Sequence, residues 1–267
     1  MYRLVSLLLI FSISCVTNGP TQSQSRLETT PRHDEWVRIP VEGKILHAWV
    51  TYPETASTAS AIVLIHENRG LDDWARSVAD RLSENGYLVI APDLLSGMAP
   101  GGGRASDFPS SDAAREATSK LSMPGVIADL HAAADYVLRL PAANGKLFVA
   151  GFCWGGARTW VLANARPGLS GSFVFYGTGP QDAAGIAAID APVFGFYGGN
   201  DARVNATIPK TEDLMRQAGK RFEPVIYEGA GHAFMRLGEA SDASDANRRA
   251  HNEGWARSLE LLGQIGR

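Results

Sequence analysis

The chain has 267 residues, of which 45% are hydrophobic and 20% charged, and its formal net charge is −3 at pH 7. These values are ordinary for a soluble globular protein, and the length favours a single α/β domain with a sizeable core. The mild negative charge and the absence of a Lys- or Arg-rich run argue against nucleic acid or another polyanion as a partner.

The first residues have the pattern of an export signal. Arg3 precedes a short apolar run over residues 4–13, which has the length of a signal-peptide core and is too short for a membrane span. Cys15 stands where a bacterial lipobox places the cysteine that becomes lipidated, although Ser12 occupies the position usually held by leucine. A cleaved signal that removes Cys15 is the alternative. Either version predicts an exported bacterial protein, periplasmic or membrane-anchored.

The segment after the signal is rich in Thr, Ser and Gln and contains two prolines, a composition typical of flexible linkers. We therefore expect a signal peptide over residues 1–15, a flexible tether over 16–35 and one folded domain over 36–267.

Strands and helices are expected to alternate through that domain. Alternating or continuous apolar runs predict strands, and apolar positions every three or four residues predict helices. The predicted strands cover residues 36–41, 45–52, 61–65, 87–91, 146–152, 172–176, 192–197 and 223–227. Helices are expected near 73–84, 112–120, 124–138, 154–165, 208–219 and 246–262. This order implies an α/β fold with a mostly parallel sheet and helices on both faces.

The segment Gly151–Gly156, with sequence Gly-Phe-Cys-Trp-Gly-Gly, follows one of these strands and opens a helix. A Gly-x-nucleophile-x-Gly pattern at such a junction predicts a sharp turn that exposes the central side chain, and glycines let strand and helix approach closely. The nucleophile here is Cys153. If Cys15 is lipidated or removed, Cys153 has no partner for a disulfide. The simpler interpretation, a small buried hydrophobic residue, fits the motif less well.

Two further polar residues follow later strands in a matching order. Asp201 comes after the strand at 192–197, and His232 after the strand at 223–227. Functional groups collect at the carboxyl ends of parallel strands, and nucleophile, acid, histidine is the chain order of the α/β-hydrolase triad. His232 would take or balance the thiol proton, and Asp201 would orient the imidazole. Taken singly, Asp201 could cap a turn and His232 could make a structural hydrogen bond.

Attack of a thiolate on an acyl carbon also needs donors for the oxyanion. The backbone N–H groups of Trp154 and Asn68 are the candidates, since each follows a buried strand. The other histidines, His33, His47, His66 and His251, lack a matching set of partners, and His131 lies beside the apolar stripe of a helix, which favours a structural role. No cluster of metal ligands has a plausible spacing, so no metal is predicted.

Together these motifs resemble the dienelactone hydrolase family. The matching segments are Gly151–Gly156, 199–201, 231–236, 66–70, 91–95 and Tyr176-Gly177, and the resemblance extends from about residue 41 to 262. It implies an α/β-hydrolase fold, no cofactor, and hydrolysis of a small ester or lactone through a cysteine acyl-enzyme. It also implies that Glu67 contacts the resting thiol and is displaced when substrate arrives. An exposed Glu67 paired with Arg69 is the alternative.

The same resemblance makes Arg236 and Tyr176 substrate-binding residues. The family prototype binds a substrate carboxylate with two arginines, for which the guanidinium fork is well suited. Arg236 matches one of them, whereas Gly97 stands where the other is expected. Arg104, in a glycine-rich loop, could replace it. The missing arginine and the export signal both argue against dienelactone as the natural substrate.

Two other classes of function stay open at this point. A non-catalytic, exported hydrolase-like binding protein would usually have lost a member of the triad, and none is missing here. A thiol redox sensor built on Cys153 would need a resolving thiol, which the mature chain does not supply. The oligomeric state does not follow from the sequence.

Overall fold

A computed structural model describes residues 21–266. The eight strands within this part of the chain are β1 (Asp34–Val41), β2 (Lys44–Thr51), β3 (Ala59–Ile65), β4 (Leu88–Asp93), β5 (Ala143–Phe152), β6 (Gly171–Phe175), β7 (Val193–Gly198) and β8 (Phe222–Tyr227). The helices are α1 (Gln22–Thr29), α2 (Asp73–Glu84), α3 (Ser111–Ser119), α4 (Met123–Arg139), α5 (Trp154–Ala165), α6 (Ala202–Asn205), α7 (Ile208–Gln217), α8 (Phe234–Leu237) and α9 (Asp245–Ile265).

All eight strands belong to one sheet, in the order β1-β2-β4-β3-β5-β6-β7-β8. The β1–β2 hairpin and the β2–β4 pair are antiparallel, and the other pairs are parallel. The carboxyl ends of β3 to β8 therefore meet at one edge of the sheet, and this edge carries the polar residues singled out above. The expected mostly parallel sheet is confirmed.

Two apolar layers cover the two faces of the sheet. Neighbouring residues of β3 alternate between them, with Val63 in one layer and Leu64 in the other, as the two-residue period of a strand requires. Helices α4, α5 and α7 pack over the first face and α2 and α9 over the second. The strands are buried on both sides, which explains why they appear in the sequence as continuous apolar runs.

The expected flexible tether is wrong for the part that the structure describes. Residues 22–29 form α1, whose N-terminus has a capping box between Thr21 and Gln24. Arg26 pairs with Asp80 and Glu84 of α2, at 2.5 and 2.6 Å, and the guanidinium of Arg32 donates to Asp80 at 2.7 and 2.8 Å. These contacts with α2 hold α1 on the domain, and the Thr-, Ser- and Gln-rich composition gives no sign of them.

The signal-peptide and Cys15 predictions lie outside the described residues. Within residues 21–266, no helix combines the length and the apolar character that crossing a membrane requires.

Candidate functional site

Cys153 occupies a strained turn between β5 and α5. Its backbone has φ 56° and ψ −113°, in the left-handed half of conformational space that residues other than glycine rarely adopt. The amide N–H of Cys153 donates to the carbonyl of Phe175 on β6 at 2.9 Å, which fixes the turn to the neighbouring strand. The side chain is only partly buried and points out of the strand end as a free thiol.

Glycines at this turn allow strand, helix and loop to meet almost in contact. A Cβ atom on Gly151 would lie 2.3 Å from the carbonyl oxygen of Gly155. A Cβ on Gly155 would lie 2.3 and 2.4 Å from the carbonyl oxygens of Ile65 and His66, at the end of β3. The start of α5 therefore sits directly against the loop that follows β3.

Replacing Gly155 by alanine should accordingly destabilise the fold by about 1–3 kcal/mol, because a new methyl group would be forced into backbone atoms that cannot move aside. Gly263→Ala in α9 is the matched control, since its new methyl group has no neighbour within 4 Å. That change should be neutral or stabilising by up to about 1 kcal/mol. Urea unfolding of both variants measures the difference, and equal midpoints would contradict the close approach.

The thiol, an imidazole and a carboxylate form a continuous line. The Nε2 atom of His232 lies 3.1 Å from Sγ of Cys153, and its Nδ1 atom lies 2.5 Å from Oδ2 of Asp201. Asp201 is buried and accepts a hydrogen bond through its other oxygen from the amide of Val204. The structure thus brings together the three residues that the sequence had placed at separate strand ends.

The hydrogen bond to Cys153 raises the pKa of His232 to about 9, and Asp201 adds to this effect while partial burial opposes it. The imidazole is therefore held in its protonated form at neutral pH. An imidazolium 3.1 Å from the sulfur favours the thiolate, which is the nucleophilic form of cysteine.

Two backbone N–H groups, of Trp154 at the start of α5 and of Asn68 in the loop after β3, have no acceptor among residues 21–266. Since α5 contacts this loop through Gly155, both donors belong to the same corner of the site. This is the arrangement expected of an oxyanion hole.

His66, which was considered without a functional partner, holds that loop. It is fully buried, and its Nε2 accepts a hydrogen bond from the amide of Leu94 at 3.3 Å. Its Nδ1–H therefore donates to the carbonyl of Glu67 at 2.6 Å. Burial lowers the pKa of His66, so the imidazole is neutral and keeps this pattern. The His66 ring also stacks on Trp154, with centroids 5.7 Å apart. No sequence pattern indicated this positioning role.

Glu67 is buried and binds other partners than those expected. Its Oε2 accepts hydrogen bonds from Arg236, with distances of 2.9 Å from Nε and 2.8 Å from a terminal nitrogen, and its Oε1 accepts from the hydroxyl of Tyr176 at 3.3 Å. No hydrogen bond joins Glu67 to Cys153 within the described residues, and the alternative pairing with Arg69 is not formed either. In this arrangement Glu67 is turned towards Arg236, and the thiol is free to bind His232.

Arg236, which is expected to bind substrate, already has several partners in the protein. Besides Glu67 it binds Asp72 at 2.9 Å, and its guanidinium lies 4.3 Å above the ring of Trp74. Although burial opposes it, the two carboxylates raise the pKa of Arg236. A substrate carboxylate would have to share or displace one of these partners. Asp72 also caps the start of α2, where its side chain accepts a hydrogen bond from the amide of Ala75.

Tyr176 lies behind the site rather than in its opening. It is fully buried, has φ 40°, and packs its ring edge-on against His232, with centroids 5.1 Å apart. Because its hydroxyl bonds to Glu67 and its ring packs on His232, Tyr176 helps to position both of these residues. The expected contact of Tyr176 with substrate stays a prediction.

A cavity of about 1090 Å³ lies next to the Arg236–Asp72 pair, and Arg104 and Arg236 both line it, whereas Cys153, His232 and Asp201 do not. The guanidinium of Arg104 lies 4.2 Å above the Trp36 ring and forms no ion pair with a carboxylate of the described residues. Gly97, by contrast, has φ +82° and open space around its Cα, so it provides a turn and no binding group. Within the part of the chain described, no group of three or more potential ligands is placed to hold a metal ion.

The mostly parallel sheet, with its nucleophile turn and with an acid and a histidine at later strand ends, defines an α/β-hydrolase fold. The chain belongs to the dienelactone hydrolase family, whose model matches residues 46–266. Membership of this family makes it a hydrolase of carboxylic esters or lactones.

Individual relatives agree with this assignment. A carboxymethylenebutenolidase of Pseudomonas putida is 31% identical over 221 residues, which cover 78% of this chain and 90% of the relative. A Salmonella typhimurium protein provisionally named as a carboxymethylenebutenolidase is 30% identical, with 85% of this chain and 86% of the relative covered. A solved Klebsiella pneumoniae structure, provisionally described as a dienelactone hydrolase, superposes with a TM-score of 0.76 at 26% identity, covering 88% of this chain and all of that one.

Proposed function

We propose that this protein hydrolyses a small ester or lactone through a covalent acyl-enzyme on Cys153. The observation that carries the proposal is the line from Sγ of Cys153 to His232 and on to Asp201, with distances of 3.1 and 2.5 Å, at a strained turn. A thiol kept only for packing needs neither the turn nor the imidazole.

The mechanism follows from the chemistry of these groups. The thiolate of Cys153 attacks the acyl carbon, and the N–H groups of Trp154 and Asn68 bind the oxyanion that forms. When the carbon–oxygen bond to the leaving group breaks, the His232 imidazolium gives its proton to the departing alkoxide. The neutral imidazole then takes a proton from water, whose oxygen attacks the thioester, and the thiol is released with the carboxylic acid. Asp201 keeps the imidazole in the tautomer that both steps require.

The substrate is proposed to lie in the cavity lined by Arg104 and Arg236. Arg104 has a guanidinium without a carboxylate partner among the described residues, so it is the better placed of the two to bind an anionic substrate group. Arg236 would join it when Glu67 or Asp72 releases one edge of its guanidinium. Glu67 is therefore proposed to determine whether Arg236 is available to bind substrate. The resemblance of the chain to the dienelactone hydrolase family also suggests that Glu67 acts on the thiol of Cys153.

The test is intact-protein mass spectrometry during turnover of p-nitrophenyl acetate and of dienelactone, followed by peptide mapping. An acyl adduct confined to the peptide that contains Cys153 is expected. The ratio of the two rates tests whether Arg104 and Arg236 serve a carboxylate. A protein that binds both compounds without turnover or adduct would instead be a non-catalytic binding protein, which no feature of the site favours.

Export and a lipid anchor at Cys15 remain proposals that rest on residues 3–15 of the sequence. Mass spectrometry of the protein purified from a bacterial membrane fraction would test them. A mass increase for a diacylglycerol at an N-terminal Cys15 is the expected result, and a soluble chain that starts after Cys15 would contradict lipidation.

The pH dependence of the reaction should show the raised pKa of His232, which is about 9 against an ordinary 6.5. For an alkyl ester, whose leaving group needs the imidazolium proton, kcat/KM should fall about tenfold per unit above pH 9. For p-nitrophenyl acetate no such fall is expected, because p-nitrophenolate leaves without a proton. Rates are measured between about pH 6 and 10, with the uncatalysed hydrolysis subtracted. A fall centred near the ordinary pKa, or one shared by both esters, would contradict the assignment.

The raised pKa of His232 also makes the stability of the folded protein depend on pH. The folded state binds the His232 proton more tightly than the unfolded state does. Its contribution to stability is therefore fully present below pH 6.5 and is lost as the pH rises through about 9.

A further inference from the structure

The helix α1 stands outside the family-matching part of the chain, which begins at residue 46, and yet it lines the cavity that Arg236 also lines. Residues 21–24 line the same cavity as Arg236, Asp72 and Trp74. They contribute short polar side chains, two hydroxyls and two amides, along one side of that cavity.

The attachment of α1 is specific. Asp80 of α2 is fully buried and binds Arg26, Thr30 and Arg32, at 2.5, 2.6 and 2.7 Å for the shortest contact of each. Glu84 adds a second contact to Arg26 at 2.6 Å. One buried carboxylate thus fixes the end of α1 and the chain that follows it, and the orientation of the helix directs its first turn towards the cavity.

Cys153, His232 and Asp201 do not line this cavity themselves, and Arg236 is the lining residue that connects it to them. Arg236 connects through Glu67 to Tyr176, whose ring packs on His232. Trp36 and Arg104, which stack on each other, also line the cavity. If a substrate extends from Cys153 into this cavity, its end remote from the scissile bond would contact the first turn of α1.

We propose that α1 is one wall of the substrate cavity and that Ser23, within its first turn, limits the size of the ester that the cavity accepts. This inference rests on the proposed function. It assigns the segment next to the export signal a role in specificity, which a tether would not have.

Two variants test it against a matched control. Ser23→Trp adds bulk on the cavity side of α1 and should lower the ratio of kcat/KM for p-nitrophenyl octanoate over acetate by about tenfold or more. Glu28→Trp adds the same bulk five residues further along, on an exposed position of another face, and should leave that ratio unchanged. Arg26→Gln weakens the attachment to Asp80 and Glu84 and should raise the ratio by about two- to fivefold.

The outcomes separate the two proposals. If α1 limits the size of the substrate, the octanoate-over-acetate ratio of kcat/KM falls with Ser23→Trp, rises with Arg26→Gln and does not change with Glu28→Trp. Failure of any one of these results overturns the proposed role of α1. If Ser23→Trp does not fold, Ser23→Leu gives the same comparison with a smaller side chain. Hydrolysis of acetate with an adduct on Cys153, together with unchanged ratios, would overturn the role of α1 and leave the proposed function intact. Absence of hydrolysis and adduct in the unmodified protein would overturn both.

Discussion

Replacing Cys153 by alanine is expected to lower kcat/KM for p-nitrophenyl acetate by about five orders of magnitude, to the level that oxyanion donors and binding alone can sustain. The reason is that the proposed mechanism takes its bond-forming sulfur from Cys153, and no other thiol lies within the described residues. Stopped-flow release of p-nitrophenolate measures both the burst and the steady state. The variant should show neither a burst nor an acyl adduct.

The fold of this variant should be intact, since alanine fills the same backbone turn and the side chain of Cys153 is only partly buried. Similar unfolding midpoints would show this directly. Cys153→Ser is a useful second variant, because it keeps a side chain of similar size that can bond to His232 and replaces the sulfur by oxygen. Equal activity of the wild type and the alanine variant would remove Cys153 from the reaction and move the binding-protein hypothesis to first place.

Much of the site could be predicted because its chemistry follows local signals. The motif of the turn at Gly151–Gly156 consists of consecutive residues, and Asp201 and His232 each follow within a few residues of the end of a predicted strand. Parallel strands bring their carboxyl ends to one edge, so three positions far apart in the chain become neighbours without any knowledge of side-chain packing. The topology accounts for their proximity, and the loops after β7 and β8 bring the side chains to the observed distances of 3.1 and 2.5 Å.

The remaining parts depend on long-range pairing, which leaves no periodic signal. Arg236 binds Glu67 across 169 residues, and it binds Asp72 across 164. A family resemblance indicated that Arg236 and Glu67 matter, and it did not show that they neutralise each other here. His66 is similar: its role comes from contacts with Glu67 and Leu94, which only the folded loop creates.

The helix α1 was missed for a related reason. Its composition is that of a linker, and an isolated eight-residue helix of this kind is marginal in water. Its stability comes from Asp80, a buried carboxylate more than fifty residues away from Arg26 along the chain, with which Arg26 and Arg32 both pair. A linker-like composition predicts flexibility only where the segment makes no tertiary contacts, and nothing in the sequence of α2 indicates that Asp80 will bind α1.

Replacing Asp201 by asparagine should lower kcat/KM by about four orders of magnitude with little change in fold. An asparagine amide has nearly the same shape as the carboxylate, but its NH₂ group donates, so it favours the tautomer of His232 that carries the proton on Nε2. That nitrogen lies 3.1 Å from Sγ and would no longer be able to accept the thiol proton. The loss of a negative charge 2.5 Å from Nδ1 should also lower the pKa of His232 from about 9.

The matched control is Asp182→Asn, in which an exposed aspartate that caps a turn through the amide of Gly185 loses its charge. Activity within about twofold of the wild type is expected for it, since surface substitutions of this kind rarely matter. The decisive measurement for Asp201→Asn is the pH profile for an alkyl ester together with the rate. A large loss of rate, together with a fall of kcat/KM that begins at a lower pH than in the wild type, supports the proposed effects of Asp201 on the tautomer and on the pKa of His232. A large loss of rate without this shift in pH would mean that Asp201 acts by capping α6 through Val204 and so shapes the loop rather than the imidazole.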